Sequence, residues 1–127
     1  MPRFSETLMD HFQSPRNLGR MEQSDFVGVA GVPGQGRYLV LYLKTSSGRV
    51  TMAKFDCHGC GVSIACGSAL TELVTGRSLA ECGELSGADL EAELDGIPID
   101  KRDRAEFAIM ALRDALAQWI RSLGASV

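Results

Sequence analysis

A change from a strand pattern to a helix pattern lies within residues 49–75, which read RVTMAKFDCHGCGVSIACGSALTELVT. The segment Arg49–Phe55 follows the turn signal Ser46-Ser47-Gly48 and is predicted to be a strand. After Cys60, apolar residues recur every three to four positions, which predicts a helix over Val62–Thr75 that ends at Gly76. The segment therefore predicts a strand and a helix joined by a short glycine-containing loop.

The junction between these two elements is rich in soft metal ligands. Three thiols and one imidazole lie within ten residues, namely Cys57, His58, Cys60 and Cys66. Two thiols three positions apart on a glycine-containing loop can turn toward one soft ion. Backbone N–H groups at the helix start favour the thiolate form of Cys60. The pattern predicts metal or sulfur chemistry, although one such thiol pair is also typical of a redox pair or a zinc half-site.

Two more strands are predicted before this segment. Residues Tyr38–Thr45 form a second clear strand, joined to Arg49–Phe55 by a hairpin at Ser46-Ser47-Gly48. An edge strand over Phe26–Val32 runs into the flexible loop Pro33-Gly34-Gln35-Gly36. Together they predict a three-stranded antiparallel sheet.

Helices are predicted on both sides of the strands. Ser5 caps a short helix that reaches Phe12, and Ser78 with Glu81 forms a capping box for another. Ser86 with Asp89 opens a further helix that ends at Gly96. The last helix spans about Arg104–Leu123, and its predicted core face carries Phe107, Met110, Ala111, Ala115, Trp119 and Leu123. Strands followed by helices predict an α+β fold, with helices packed on one face of the sheet.

Composition limits the function classes. A chain of 127 residues and 13.7 kDa fits one domain, residues 1–127. With 13 basic and 16 acidic residues, the net charge of −3 gives no reason to expect nucleic acid or an anionic membrane as a partner. The longest apolar run, Tyr38–Leu43, is too short to span a bilayer.

The first 14 residues carry four charged or titratable side chains and lack the apolar core of a signal peptide, so a cytoplasmic location is expected. In that reducing compartment the four cysteines are expected to be free thiols or ligands. Cys82, which has no ligand neighbour in the sequence, is expected to be structural. The sequence holds no recognisable Ser-His-Asp arrangement, phosphate loop or acid–base carboxylate pair, so no enzymatic activity is expected.

Several short motifs resemble one protein family over nearly the whole chain. Phe4-Ser5, Asp10-His11-Phe12 and Pro15-Arg16-Asn17-Leu18-Gly19 resemble the amino-terminal signature of the IscU/NifU-type iron–sulfur cluster assembly scaffolds. Phe55 through Ala65 resembles their central cysteine segment. The match continues in register through Leu70-Thr71-Glu72 and Gly76-Arg77-Ser78-Leu79. The resemblance implies the same three-stranded sheet with helices on one face.

The family's ligand positions are mostly changed in this chain. The resemblance implies three cysteines, one histidine and an assisting aspartate, and of these only the cysteine at Cys60 is kept. The family's first cysteine and its aspartate align with Gln35 and Arg37, and its His-Cys pair aligns with Asp103 and Arg104. Gln35 is a poor ligand for a soft cluster and the arginines cannot ligate, whereas Asp103 offers an oxygen.

One hypothesis is that the ligand set has moved onto the loop and helix start, where Cys57, Cys60 and Cys66 would approach one another. His58, Asp103 or a partner's thiol would then supply the fourth ligand. Asp103 with Glu106 also fits an N-capping pair for the last helix. Arg37 and Arg104 would stabilise a thiolate, a persulfide or an anionic cluster at Cys60. His11 is expected to pack or to hydrogen-bond the first helix.

The leading functional hypothesis is an iron–sulfur cluster assembly scaffold-like protein. It would bind iron, sulfur or a labile cluster, such as a 2Fe–2S cluster, near Cys60 and pass it to targets. The resemblance implies a cysteine desulfurase as partner, together with a chaperone or acceptor proteins. Two alternatives remain open: a regulatory adaptor of the assembly machinery that binds no cluster, and a structural zinc protein.

Overall fold

The computed structural model describes residues 3–124. A helix α1 (Glu6–Gln13) precedes three strands, β1 (Phe26–Gly31), β2 (Tyr38–Ser46) and β3 (Arg49–His58). Four further α-helices follow: α2 (Gly61–Val74), α3 (Leu79–Cys82), α4 (Gly87–Glu93) and α5 (Asp103–Gly124), with a 3₁₀ turn at Ile99–Lys101 before α5. Ser5, Ser78 and Ser86 cap their helices as predicted, and the last two form complete capping boxes with Glu81 and Asp89.

The three strands form one antiparallel sheet in the order β1-β2-β3, which confirms the predicted topology. Leu41 pairs with Gly28 on one side and with Phe55 on the other. Leu39, Leu41 and Leu43 are buried together with Ala53 and Phe55, and their alternation places these side chains on one face of the sheet. Helix α2 packs against β3 and α5 against β1. The predicted α+β fold with helices on one face is therefore confirmed.

Strand β3 is longer than predicted and ends at His58 rather than Phe55. Cys57 pairs with Leu39 and His58 pairs with Tyr38, so both belong to the sheet and not to the following loop. Because neighbouring side chains on a strand point to opposite faces, Cys57 lies on the helix side and His58 on the outer side.

Helix α5 approaches β1 so closely that a glycine is required between them. A Cβ atom built on Gly28 would lie 1.9 Å from the carbonyl oxygen of Ala111 and 2.5 Å from the amide nitrogen of Ala115. The buried face of α5 is accordingly built from small and medium side chains, namely Ala105, Ala108, Ile109, Ala111, Leu112, Ala115 and Leu116.

The core face predicted for α5 is wrong at two positions. Met110 is 56% exposed and Leu123 is 55% exposed, so both point to solvent. Phe107 and Trp119 are partly buried at the margin of the core. The close approach to β1 leaves no room for large side chains, so alanines occupy the centre of the contact and the bulky residues lie beside it.

Both outer edges of the sheet are bonded to other parts of the chain. At β1, the amide of Val27 donates to Gln118 Oε1 at 3.2 Å and its carbonyl accepts from Gln118 Nε2 at 2.5 Å. The amide of Val29 donates to Asp114 at 2.9 Å. At β3, the amide of Phe55 donates to the carbonyl of Asn17. The amide of Val50 donates to the carbonyl of Arg77, and the carbonyl of Val50 accepts from the amide of Gly76.

The first helix is attached to α2 through a buried polar contact. His11 is buried, and its Nδ1 atom lies 2.7 Å from the hydroxyl of Ser68, which also accepts from the amide of Arg16 at 2.8 Å. His11 was expected to pack or to hydrogen-bond the first helix; it is packed in the interior, and its hydrogen bond is to α2. Every helix between residues 3 and 124 falls short of the length or apolar character that crossing a bilayer would need.

Candidate functional site

Cys60 is the N-cap residue of α2 and is separated from β3 by Gly59 alone. The next residue, Gly61, allows close packing of α1, because a Cβ atom there would lie 2.8 Å from the ring of Phe12 and would displace it. The absence of that Cβ lets α1 pack beside the helix start. The chain thereby places one partly exposed thiol where the unpaired N–H groups of a 14-residue helix face it.

The surroundings of Cys60 favour its ionised form. Burial works to raise the pKa of this thiol, but the backbone N–H groups of Ser63 and Val62, the Ser63 hydroxyl and the Arg104 guanidinium together lower it to about 7. The Cys60 sulfur lies 3.6 Å from the Ser63 hydroxyl. A thiol with this pKa carries a large thiolate fraction at neutral pH, which makes it nucleophilic.

Asp103 joins the two arginines that lie near Cys60. One of its carboxylate oxygens lies 2.5 Å from the guanidinium of Arg104, and the other lies 3.1 Å from that of Arg37. These ion pairs hold the pKa of Asp103 below its usual value, with Arg104 as the larger cause and Arg37 as the smaller. Arg37 also stacks over the ring of Phe107, 4.4 Å from its centroid. Asp103 therefore forms ion pairs with two arginines rather than the predicted capping pair with Glu106.

The other three thiols are held in their neutral form. Burial, reinforced by Asp56 and Cys60, raises the pKa of Cys57 to about 11. Burial is also the main cause that raises the pKa of Cys66 to about 12 and that of Cys82 to about 11. Cys66 is fully buried in the core, as is Cys82, in agreement with the structural role predicted for Cys82.

The structure brings together some of the predicted site residues and separates others. Cys57, Cys60 and Cys66 lie close enough to influence one another's ionisation, and Asp103 and Arg104 act on Cys66 as well. His58 is apart from them on the outer face of the sheet, where its ring stacks on Tyr38 with centroids 6.0 Å apart. Gln35 is exposed in the turn between β1 and β2, where its backbone N–H donates to the carbonyl of Val32.

These residues do not form a complete metal site. Within residues 3–124, no group of three or more His, Cys, Asp or Glu side chains is placed to hold a metal ion. Burial raises the pKa of Cys57 and Cys66, so a metal bound by these thiols would have to displace their protons. The oxygens of Asp103 are bonded to arginines. The side chains of residues 3–124 are therefore not arranged in advance as a complete ligand set for an iron–sulfur cluster.

An apolar cavity of about 300 Å³ opens beside Cys60. Its lining comes mainly from α1 and the start of α2, and Lys101 is its one charged residue. The complete set is Phe4, Leu8, Met9, Phe12, Cys60, Gly61, Val62 and Lys101. The Cys60 sulfur thus adjoins both an apolar cavity and the Arg104–Asp103–Arg37 ion pairs.

Two residues of this site were not singled out by the sequence as functional: Ser63 and Phe107. Ser63 is three positions after the N-cap Cys60, and that spacing is the signal which could have identified it. Phe107 reaches the site only through the fold, because Arg37 and Phe107 lie 70 residues apart.

Comparison with known proteins gives consistent results. The model of the NifU-like N terminal domain family matches residues 3–124. The iron-sulfur cluster assembly scaffold protein IscU 1 of Archaeoglobus fulgidus is 34% identical over 121 residues, which cover 95% of this chain and 79% of that protein. The nitrogen fixation protein NifU of Cereibacter sphaeroides is 42% identical over 111 residues, which cover 87% of this chain but 45% of that protein.

Solved structures share the fold. A putative iron-sulfur cluster assembly scaffold protein for the SUF system from Fervidobacterium islandicum has a TM-score of 0.67 at 20% identity, over 89% of this chain and 96% of that chain. The N-terminal part of a nitrogen-fixing NifU-like protein from Brucella abortus has a TM-score of 0.67 at 19% identity, over 97% and 95%. On the extent of the family match and the identity to IscU, the chain belongs to the NifU-like N-terminal domain family.

Proposed function

We propose that this protein acts in iron–sulfur cluster assembly, where it binds iron, sulfur or a labile cluster at Cys60 and passes it to acceptor proteins. The observation that carries the proposal is the ionisable thiol of Cys60 at the start of α2, beside the Arg104 guanidinium. Membership of the family, and relatives that are named as assembly scaffolds, support a role in iron–sulfur cluster assembly.

The geometry favours sulfur as the cargo. A single reactive thiol can carry one sulfur atom as a persulfide without any other ligand, whereas a four-coordinate metal needs further donors. Iron or a cluster would have to take those donors from outside this chain. We therefore infer a carrier role for the thiol rather than catalysis, with zinc less favoured because no second ionised thiol lies at the site.

The proposed partners are a cysteine desulfurase as sulfur donor and acceptor proteins or a chaperone downstream. We infer a cytoplasmic location and one NifU-like domain over residues 1–127. A 2Fe–2S cargo would need further ligands from a partner, because Cys60 is the one thiol of this chain whose pKa is lowered.

The experiment loads the protein under anaerobic conditions. Wild-type protein is incubated with ferrous iron, cysteine and a cysteine desulfurase, desalted, and assayed for sulfane sulfur, sulfide, iron and visible absorption. Wild type and Cys82→Ala, which removes a buried thiol, are expected to retain stoichiometric sulfur, whereas Cys60→Ser is expected to retain none. If wild type retains neither sulfur nor iron, the proposal fails.

A second candidate is an adaptor that docks on the assembly machinery without carrying cargo. It is favoured by one observation, namely that Asp103, Arg104 and Arg37 bond to one another. A pull-down with the desulfurase separates the two roles. Binding that survives Cys60→Ser, together with no sulfur loading in wild type, would favour the adaptor. Loss of binding in Cys60→Ser would count against it.

A further inference from the structure

Positive charge predominates around the Cys60 sulfur. Arg104 interacts with the sulfur directly. Arg37 is linked to Arg104 through the carboxylate of Asp103, which pairs with both arginines. Lys101 lines the cavity into which Cys60 opens. Three cations therefore face one carboxylate in the immediate surroundings of the thiol. Asp56, the acid next to Cys57 in the chain, lies on the opposite face of the sheet.

The arginines are held in place rather than free in solvent. The Arg104 side chain is only 25% exposed, and its guanidinium is fixed by Asp103. Arg37 is fixed from two sides, by Asp103 and by the ring of Phe107. A guanidinium that is already positioned loses less side-chain entropy when it receives an anion.

The apolar cavity strengthens the effect of these charges. Leu8 and Val62 are buried, and with Phe4 and Met9 they line the cavity beside the sulfur. Coulomb interactions are stronger beside such a low-dielectric surface than in open water. An anion at Cys60 would therefore be attracted, and a metal cation repelled, more than the exposure of the individual arginines suggests.

We propose that the mouth of Cys60 is an anion-selective site, which admits anionic sulfur species and discriminates against metal cations, with Arg104 as the residue that confers the selectivity. The inference rests on the proposed function and narrows its cargo to sulfur. The donor class is a persulfide, the form in which a thiol of another molecule carries sulfane sulfur.

The transfer balances without an oxidant or a metal. The donor persulfide arrives as the anion R–S–S⁻ and takes up one proton from solvent, and the Cys60 thiolate attacks the outer sulfur of the resulting R–S–SH. A new S–S bond forms at Cys60, the S–S bond of the donor breaks, and the donor leaves as the thiolate R–S⁻. The product, Cys60–S–SH, releases its proton to solvent and becomes an anion that faces Arg104.

The selectivity can be measured with two alkylating reagents of similar size. Iodoacetate is an anion and iodoacetamide is neutral, and both react with the thiolate, so the ratio of their rates at Cys60 reports local charge and not the ionisation of the thiol. The rates are read by mass spectrometry of the Cys60 peptide. Replacing Arg104 with Met is expected to lower the iodoacetate to iodoacetamide ratio roughly fivefold, as for one unit charge about 4 Å away in water.

Three controls make the result specific. Arg104→Lys keeps the charge and is expected to keep most of the ratio. Arg121→Met removes one positive charge about 25 Å along the same helix and is expected to leave the ratio unchanged. In wild type, roughly 1 M salt should reduce the ratio because the screening length falls to about 3 Å. Circular dichroism checks the fold, and Arg37→Met, which is expected to give a smaller decrease, replaces Arg104→Met if that variant does not fold.

A ratio that is unchanged in Arg104→Met and insensitive to salt would overturn the inference, as would a loss in Arg104→Lys as large as in Arg104→Met. The outcome is separable from that of the proposed function. Anion preference with no sulfur loading would leave the anion selectivity of the site standing but would remove the sulfur cargo and the assembly role. Sulfur loading without anion preference would overturn the anion selectivity and leave the assembly role standing.

Discussion

The Nδ1 atom of His11 lies 2.7 Å from the hydroxyl of Ser68, and this contact joins α1 to α2. The Ser68 oxygen also accepts from the amide of Arg16, which leaves its own proton available to Nδ1 of His11. In the tautomer that accepts this proton, the neutral ring directs its Nε2–H toward Glu72, 3.4 Å away. Burial first, and then Arg16, lower the pKa of His11, against smaller opposite effects of Glu72, Asp10 and Glu93.

This histidine should make stability depend on pH on the acid side. The folded-state pKa is below the unfolded value of 6.5, so the unfolded chain binds more protons as pH falls. The contribution is fully present above pH 6.5 and is lost as pH falls through the lower folded pKa. Urea unfolding at several pH values should show a smaller loss of stability below pH 6.5 in His11→Gln than in wild type.

The other histidine provides the matched control for this measurement. His58 is exposed on the outer face of the sheet, so His58→Gln should keep the wild-type pH dependence. His11→Gln should also lower the free energy of unfolding at neutral pH by about 1–3 kcal/mol, because Ser68 loses its partner in the core. An identical pH dependence in wild type and His11→Gln would contradict the assignment.

Cys60 should be the first thiol to react in the native protein. With a pKa of about 7, about half of it is thiolate at neutral pH, whereas Cys57 at about 11 and Cys66 at about 12 remain protonated. The iodoacetamide rate at Cys60 should rise with pH to a plateau, with its midpoint near 7. Ser63→Ala should move that midpoint upward, because one donor to the thiolate is removed. A midpoint near 9 in wild type would contradict the geometry of the helix start.

Gly28→Ala should be among the most destabilising single-methyl changes in the chain. The new Cβ would meet backbone atoms of Ala111 and Ala115, which cannot rotate away as a side chain could. Overpacking of this kind costs about 1–3 kcal/mol or more, measurable by thermal or urea unfolding. Gly124→Ala is the control, because a Cβ there meets nothing within 4 Å. Equal stability of the two variants would show that α5 can move away from β1 at little cost.

Removal of metal should leave the fold intact. The core is built from apolar side chains such as Leu41, Phe55 and Leu70, each of them fully buried, so folding does not need a metal ion as a small zinc domain does. Purified protein treated with a strong chelator is expected to keep its unfolding temperature and circular dichroism. Unfolding on chelation, with one equivalent of zinc released, would instead establish the structural zinc interpretation.

Local patterns were sufficient to predict most of the secondary structure. Ser78 with Glu81 and Ser86 with Asp89 mark helix starts by chemistry that acts over three residues, and the hairpin at Ser46–Gly48 is equally local. The face of α5 was predicted incorrectly because the decisive fact, a glycine at position 28, lies more than 80 residues away. No periodicity within the helix contains that information.

The candidate site was predicted in part for the same reason. Cys60 at a helix start follows from the sequence around it. The role of Asp103 depends on its bond to Arg37, 66 residues away, so its carboxylate looked equally suited to capping or to a metal. The sequence suggested that His58 lies beside the thiols. Because β3 extends to His58, the side chains of Cys57 and His58 point to opposite faces of the sheet.

The bonded edges of the sheet limit how other chains can associate with this protein. An open edge strand is a template for pairing with a further strand, which leads to edge-to-edge aggregation or to recognition by strand addition. Here the side chains of Gln118 and Asp114 form hydrogen bonds with the backbone of β1. The backbone of residues 17, 76 and 77 forms hydrogen bonds with Phe55 and Val50 of β3. A donor or acceptor protein would have to displace these bonds before it could extend the sheet. Addition of a further strand, in a complex or in a fibre, is therefore disfavoured at both edges of the sheet.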